Sequence, residues 1–94
     1  MIFVHHIKSF LFENKVAVVT GGVGLLGSEI CKSLASLGAY VIIGDTNKIK
    51  GESLSKKITK TGYKSEFQYL DISSYDSINN FTNLINTKFG KIDI

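Results

Sequence analysis

The sequence predicts an α/β protein, a doubly wound parallel sheet with helices on both faces, on three observations. Short apolar runs recur along the chain, each followed by a segment of helical periodicity. Glycines stand at the joints between them. The resulting order is strand, helix, strand, helix, strand, helix and a strand fragment, which is the alternation of a three-layer sheet. That sheet reads as incomplete, with three strands plus the start of a fourth.

Lys15 introduces VAVVT, Val16 to Thr20, a β-branched run without polar alternation, as expected of a strand buried on both faces. Leu26, Ile30, Leu34 and Leu37 then recur at helical spacing with Cys31 alongside, and Gly38 stands where such a helix would end. YVIIGD, Tyr40 to Asp45, is a second apolar strand that closes on a carboxylate. From Asn47 to Thr61 a lysine- and serine-rich segment carries a thin apolar face of Ile49, Leu54 and Ile58, with Gly62 as its stop. Gly51 weakens this helix locally. SEFQYLD, Ser65 to Asp71, alternates Phe67 and Tyr69 against Glu66 and Gln68, the pattern of a strand near the sheet's margin. Ser73 with Asp76 three residues later reads as a capping box for a helix whose face is Ile78, Phe81, Ile85 and Phe89, closed by Gly90. Ile92 to Ile94 has the character of a fourth strand's first residues.

Bulk properties narrow the function. Ninety-four residues make at most one small domain, and 44% hydrophobic with 20% charged residues is ordinary globular composition. The net charge of +3 comes from eleven lysines and no arginine. The lysines are spread and mixed with acids, so a nucleic-acid partner is not expected. Cys31 has no partner for a disulfide and sits on an apolar helical face, consistent with a core residue in a reducing cytoplasm. The opening, residues 1–14, is apolar at Ile2, Phe3, Val4, Ile7, Phe10, Leu11 and Phe12, but it lacks the basic start and cleavage site of a secretory signal. No run is long enough to span a bilayer. His5 and His6 are adjacent, with no further histidine to complete a metal site, and no metal is expected.

The chemistry is concentrated in VVTGGVGLLGSEI, Val18 to Ile30. A glycine triplet alone is weak evidence, but here Gly21 ends a strand, Gly27 lies in the first turn of a helix, and Asp45 closes the next strand about twenty residues on. Gly21 allows the sharp turn, Gly24 lets the backbone approach a diphosphate, and Gly27 permits close contact between helix and strand. Free amides at the helix start and the positive end of its dipole would face the anion. Asp45 can accept both hydroxyls of an adenosine ribose and would repel a 2′-phosphate, so NAD is expected in preference to NADP. Lys48 and Lys50 are the cations nearest in sequence. The competing reading makes the loop a tight turn and Asp45 a turn residue.

KVAVVTGGVGLLGSEICKSLASLGAYVIIGD resembles the amino-terminal half of the short-chain dehydrogenase/reductase family, and FGKIDI resembles the phrase leading into the fourth strand in its classical branch. The resemblance covers about Lys15 to Ile94. It implies a partial NAD(P)-binding, Rossmann-type domain over residues 15–94, with residues 1–14 as an amino-terminal extension. It also implies an NAD-dependent oxidoreductase that moves a hydride between nicotinamide and an alcohol or carbonyl substrate, sugar-like in one version. Asp71 and Ile72 match the family's acid after the third strand and the residue following it, which line the adenine pocket. Without the resemblance, Asp71 reads as a helix-entry turn residue. The expected cofactor-binding set is Gly21, Gly24, Leu25, Leu26, Gly27, Asp45, Asp71 and Ile72. The loop departs from the classical pattern, because Leu25 stands where that branch carries glycine. The spacing of Gly21, Gly24 and Gly27 resembles instead the extended branch of sugar-nucleotide epimerases and dehydratases.

The family's reaction needs a tyrosine four residues before a lysine, together with a serine. Tyr40, Tyr63, Tyr69 and Tyr75 are followed at that distance by Gly44, Phe67, Ser73 and Asn79, so no catalytic residue is expected in this chain. The chain then reads as a fragment or a shortened reading frame, inactive by itself and marginally stable, with one edge of the first strand open to aggregation. Two alternatives stand beside it: a nucleotide-binding module without turnover, and an S-adenosylmethionine-binding fold. Gly27 argues against the latter, which needs no diphosphate contact.

Overall fold

A computed structural model of the chain describes residues 11–94. His5, His6 and the rest of the apolar opening through Phe10 lie outside the described residues. Three strands, β1 (Val16–Thr20), β2 (Tyr40–Asp45) and β3 (Lys64–Tyr69), alternate with three helices, α1 (Leu25–Ser36), α2 (Lys48–Lys60) and α3 (Tyr75–Phe89). The strands form one parallel sheet in the order β1-β2-β3, with Val18 opposite Ile42 and Ile42 opposite Glu66. β2, the most apolar strand, is central, and Val41, Ile42 and Ile43 are fully buried.

Alternation along the strands divides the core in two. Ala17, Val19, Val41 and Ile43 face Cys31 and Ala35 of α1 and Leu54 and Ile58 of α2. Val16 and Ile42 face the other way, toward Phe81 and Ile85 of α3, with Leu70 between them. The expected three layers are therefore present: two helices, sheet, one helix. At the chain's end the Asp93 and Ile94 amides donate to the Val16 carbonyl (2.8 and 3.1 Å) and the Val18 amide donates to the Ile94 carbonyl (3.0 Å). Asp93 Oδ2 accepts from the Val16 amide (2.7 Å). These contacts begin a fourth position beside β1, on the edge away from β2.

Several expectations are corrected. The buried face of α1 is Cys31 with Ala35, flanked by half-buried Leu34, whereas Leu26 and Ile30 are exposed. Two small side chains let this helix lie close to β1 and β2, and Leu25, Leu26 and Ile30 are turned to the surface. Ile49 is likewise exposed on α2. Gly51, which weakens that helix in isolation, is required by packing, since a Cβ there would strike the ring of Phe67. The cap of α3 is Ser74, not Ser73; its hydroxyl accepts from the Ser77 amide (3.2 Å). Gly90 closes α3 in the left-handed conformation at φ 74°.

Glu66, on the polar side of the β3 alternation, lies under α3, with its side chain only 14% exposed. Its carboxylate accepts from the Tyr40 hydroxyl (2.9 Å), from Gln68 Nε2 (2.6 Å) and from Lys88 Nζ (2.9 and 3.1 Å). Burial by itself would raise its pKa, but these hydrogen bonds and the Lys88 charge outweigh it and hold the carboxyl below the usual glutamate value. Burial first, then Glu66, pushes the Tyr40 hydroxyl up to about 12. A lowered folded-state pKa means that ionised Glu66 contributes stability above the unfolded-state value, near 4.3, and that this contribution is lost as pH falls through the folded value. Glu66→Gln should cost about 1 kcal/mol at pH 7 by urea denaturation. The difference from wild type should shrink as the pH is lowered below about 4. A gap of constant size down to the acid transition would contradict the assignment.

Candidate functional site

The carboxyl ends of the three strands meet at one edge of the sheet. After Thr20 the chain turns through Gly21, at φ 65°, a left-handed conformation that glycine adopts without strain. The amides of Gly21 and Gly22 both donate to the Gly44 carbonyl (2.8 and 3.3 Å), which hangs the loop on the end of β2. The Gly24 amide returns to the Gly21 carbonyl (3.1 Å) and closes the turn.

The start of α1 is bare. Its N-cap is Gly24, which offers no side-chain acceptor. Ser28 is the first residue of the helix whose amide bonds back, to the Gly24 carbonyl (2.8 Å). The amides of Leu25, Leu26 and Gly27 are thus left without a partner among the described residues, as at any uncapped helix start. A Cβ at Gly27 would fall on the Gly21 carbonyl, so this residue holds the helix against the turn; at Gly24 the nearest atom, the Gly21 oxygen, is 3.4 Å away. The side chains of Leu25 and Leu26 are exposed, and nothing crowds the leucine that stands in the place of the classical branch's glycine.

Asp45 ends β2 beside this loop. One carboxylate oxygen, Oδ2, accepts from the Val23 amide (3.3 Å) and the other, Oδ1, from the Asn47 amide (2.9 Å). Asn47 in turn caps α2, its side chain accepting from the Lys50 amide (3.0 Å). The carbonyl of Asp45 accepts from the Leu70 amide (3.0 Å), which brings the end of β3 alongside. Asp71 and Ile72 follow there. Asp71 Oδ1 accepts from the amide and hydroxyl of Ser73 (3.0 and 2.6 Å), and these bonds hold its carboxyl below the usual aspartate range. Its amide donates to Ser77 Oγ (2.9 Å). Asp71 therefore organises the entry to α3, and Ile72 is exposed next to it.

One residue of the loop was missed from sequence. Gly22 is buried, and a Cβ there would meet Ile43 Cγ2 at 2.8 Å, the Val19 carbonyl at 3.1 Å and Cys31 Sγ at 3.3 Å. The signal was the doublet Gly21–Gly22, read only for its first member. Cys31 lies beneath it, its thiol pushed up to about 11 by burial. A concavity between α1 and α2, lined by Val23, Ser28, Lys32, Lys50 and Lys57 among others, begins beside the loop. Among the described residues no helix is long and apolar enough to cross a membrane, and no group of three His, Cys, Asp or Glu is placed to hold a metal.

Parallel strands ending in a glycine loop, a helix with free first-turn amides and an acid at the end of β2 define a Rossmann-type nucleotide-binding α/β protein. The comparison with protein families is more specific. The model described as short chain dehydrogenase matches residues 15–94, and the chain belongs to this family of NAD(P)-binding oxidoreductases. It is 40% identical over 82 residues to the uncharacterized oxidoreductase YxbG of Bacillus subtilis (strain 168), covering 87% of this chain and 30% of that one. It is also similar to a solved metagenomic short-chain oxidoreductase in complex with NADP, with a TM-score of 0.84 and 30% identity over 87% of this chain and 37% of that one. A chain assigned as a D-mannonate oxidoreductase from Haemophilus influenza, solved with bound NAD, gives a TM-score of 0.84 and 28% identity over 94% of this chain and 31% of that one. The chain thus spans well under half the length of the relatives it matches.

Proposed function

We propose that this chain is the cofactor-binding portion of an NAD-dependent short-chain oxidoreductase that moves a hydride between nicotinamide and an alcohol or carbonyl substrate, and that it is inactive by itself. The observation that carries the reading is the juxtaposition of the unpartnered amides of Leu25, Leu26 and Gly27 with the Asp45 carboxylate across one loop. The cradle fits a dinucleotide. Gly24 presents backbone without a side chain, and the acid stands at the second strand's end. The bound cofactor would supply the hydride. The chain's own part is to hold the pyrophosphate on the amides of Leu25, Leu26 and Gly27 and to accept the adenosine ribose hydroxyls at Asp45. Asp71 and Ile72 then border the adenine.

NAD is favoured over NADP because a 2′-phosphate would approach a carboxylate, whereas ribose hydroxyls donate to it. Titration calorimetry of the 94-residue chain with NAD, NADP and S-adenosylmethionine tests the reading. NAD should bind, and Asp45→Ala should weaken it by about ten- to a hundred-fold, with a clearly smaller loss for NADP. Equal losses for the two would remove the ribose role, and binding of S-adenosylmethionine alone would remove the dinucleotide. The spacing of Gly21, Gly24 and Gly27 supports a second version, in which the same half belongs to an extended-type sugar-nucleotide enzyme. The oxidoreductase version has the support of the relatives' oxidoreductase descriptions.

A further inference from the structure

We infer that Asp45 also serves as a positioning residue, one that latches the glycine loop in its binding shape before any nucleotide arrives. The inference rests on the reading of that loop as a dinucleotide grip. Val23 lies between Gly22 and Gly24, and its amide is directed at Asp45 Oδ2 (3.3 Å) rather than outward. The other oxygen is held by the Asn47 amide (2.9 Å), which fixes the carboxylate's orientation from the α2 side. Two amides from opposite sides of the cleft, 24 positions apart in the chain, thereby converge on one carboxylate side chain. Elsewhere, among the described residues, the loop is tied by backbone bonds of Gly21, Gly22 and Gly24, residues with little conformational preference of their own, and by the Cys31 thiol, which donates to the Gly22 carbonyl at 3.8 Å.

The latch and the ribose grip do not compete. An ionised carboxylate offers about four lone-pair directions; two are taken by Val23 and Asn47, and two remain for a pair of hydroxyls. A phosphate at the ribose 2′ position brings only acceptors and charge, and can use neither. Deleting the acid removes the repulsion and also releases the loop that must hold the pyrophosphate. Asp45→Ala alone should therefore fail to create an NADP site.

Latch and ribose contact are separated by a ligand that cannot touch Asp45. In 2′,3′-dideoxyadenosine 5′-diphosphate both hydroxyls are missing while the diphosphate remains. Asp45→Asn is the informative variant, because its single carbonyl oxygen can accept from only one of the two amides and its NH2 group would face the other donor. In the ligand-free chain, hydrogen exchange at the Val23 amide should quicken by about ten-fold in both Asp45→Asn and Asp45→Ala, with Val41 to Ile43 as protected as in wild type. Affinity for the dideoxy diphosphate should fall several-fold in both variants at an unchanged melting temperature. Wild-type exchange rates at Val23 or undiminished binding of the dideoxy ligand, in a variant whose β2 amides stay protected, would overturn the latch. If wild type bound no dinucleotide, the functional reading would fail, and the exchange measurement would still decide whether Asp45 holds the loop.

Discussion

Gly27→Ala is expected to eliminate dinucleotide binding and to destabilise the chain by about 1–3 kcal/mol. The added Cβ would fall on the carbonyl of Gly21, with the Gly21 carbonyl carbon and Gly22 Cα each 3.0 Å away. All of these are backbone atoms, so no side chain can swing aside. Either α1 withdraws from β1, or the turn through Gly21 opens. Both movements carry the free amides at the start of α1 away from the residues that end β2. Gly24→Ala provides the contrast. Its Cβ would lie 3.4 Å from the Gly21 oxygen, an ordinary contact, so the variant should stay within about 1 kcal/mol of wild type. It should nevertheless lose NAD affinity, because a methyl group would stand where backbone must meet the diphosphate. Urea denaturation with calorimetry on both variants checks this pair. A Gly27→Ala chain that binds NAD as wild type does would show that helix and turn need not touch, and the site built on their contact would fall with it.

Ile42→Ala is expected to cost about 3–4 kcal/mol, the largest single effect on stability. Ile42 is fully buried at the centre of the middle strand, between Val18 and Glu66 in register, and packs with Val16, Leu70, Phe81 and Ile85. Among the described residues only one helix, α3, covers this face, so the space left by three carbons is walled by few side chains able to move in. The net stability of a small domain is about 5–15 kcal/mol, and a loss of this size removes a large part of it. Ile42→Val should cost only about 1 kcal/mol. The midpoint of a urea transition followed by far-UV circular dichroism measures both. A loss below about 1 kcal/mol for the alanine variant would mean that α3 does not seal the sheet as described.

The strand and helix order was legible because it depends on local signals. Val16 to Val19 and Val41 to Ile43 are apolar without interruption, as strands covered on both faces must be, and Gly90 stops a helix that has an apolar face. Glycine spacing and the acid at the end of the second strand were legible for a similar reason, since each follows from what one stretch of backbone must do. Faces were harder to read. Leu26 and Ile30 lie on the predicted helical stripe yet are exposed, because α1 approaches the sheet through Cys31 and Ala35. Periodicity gives the spacing of a face but not which neighbour is close enough to require small residues.

The sequence by itself determined the parallel α/β alternation, the glycine loop and the position of Asp45 at a strand end, because chain order and side-chain period are local properties. Only the tertiary structure decided that Gly51 is demanded by the ring of Phe67, that Glu66 is gathered beneath α3 by Tyr40, Gln68 and Lys88, and that Asp45 receives the amide of Val23. Each of these depends on atoms distant in the chain meeting at a particular separation. Such meetings are set by how closely the layers pack, a quantity that no single segment contains.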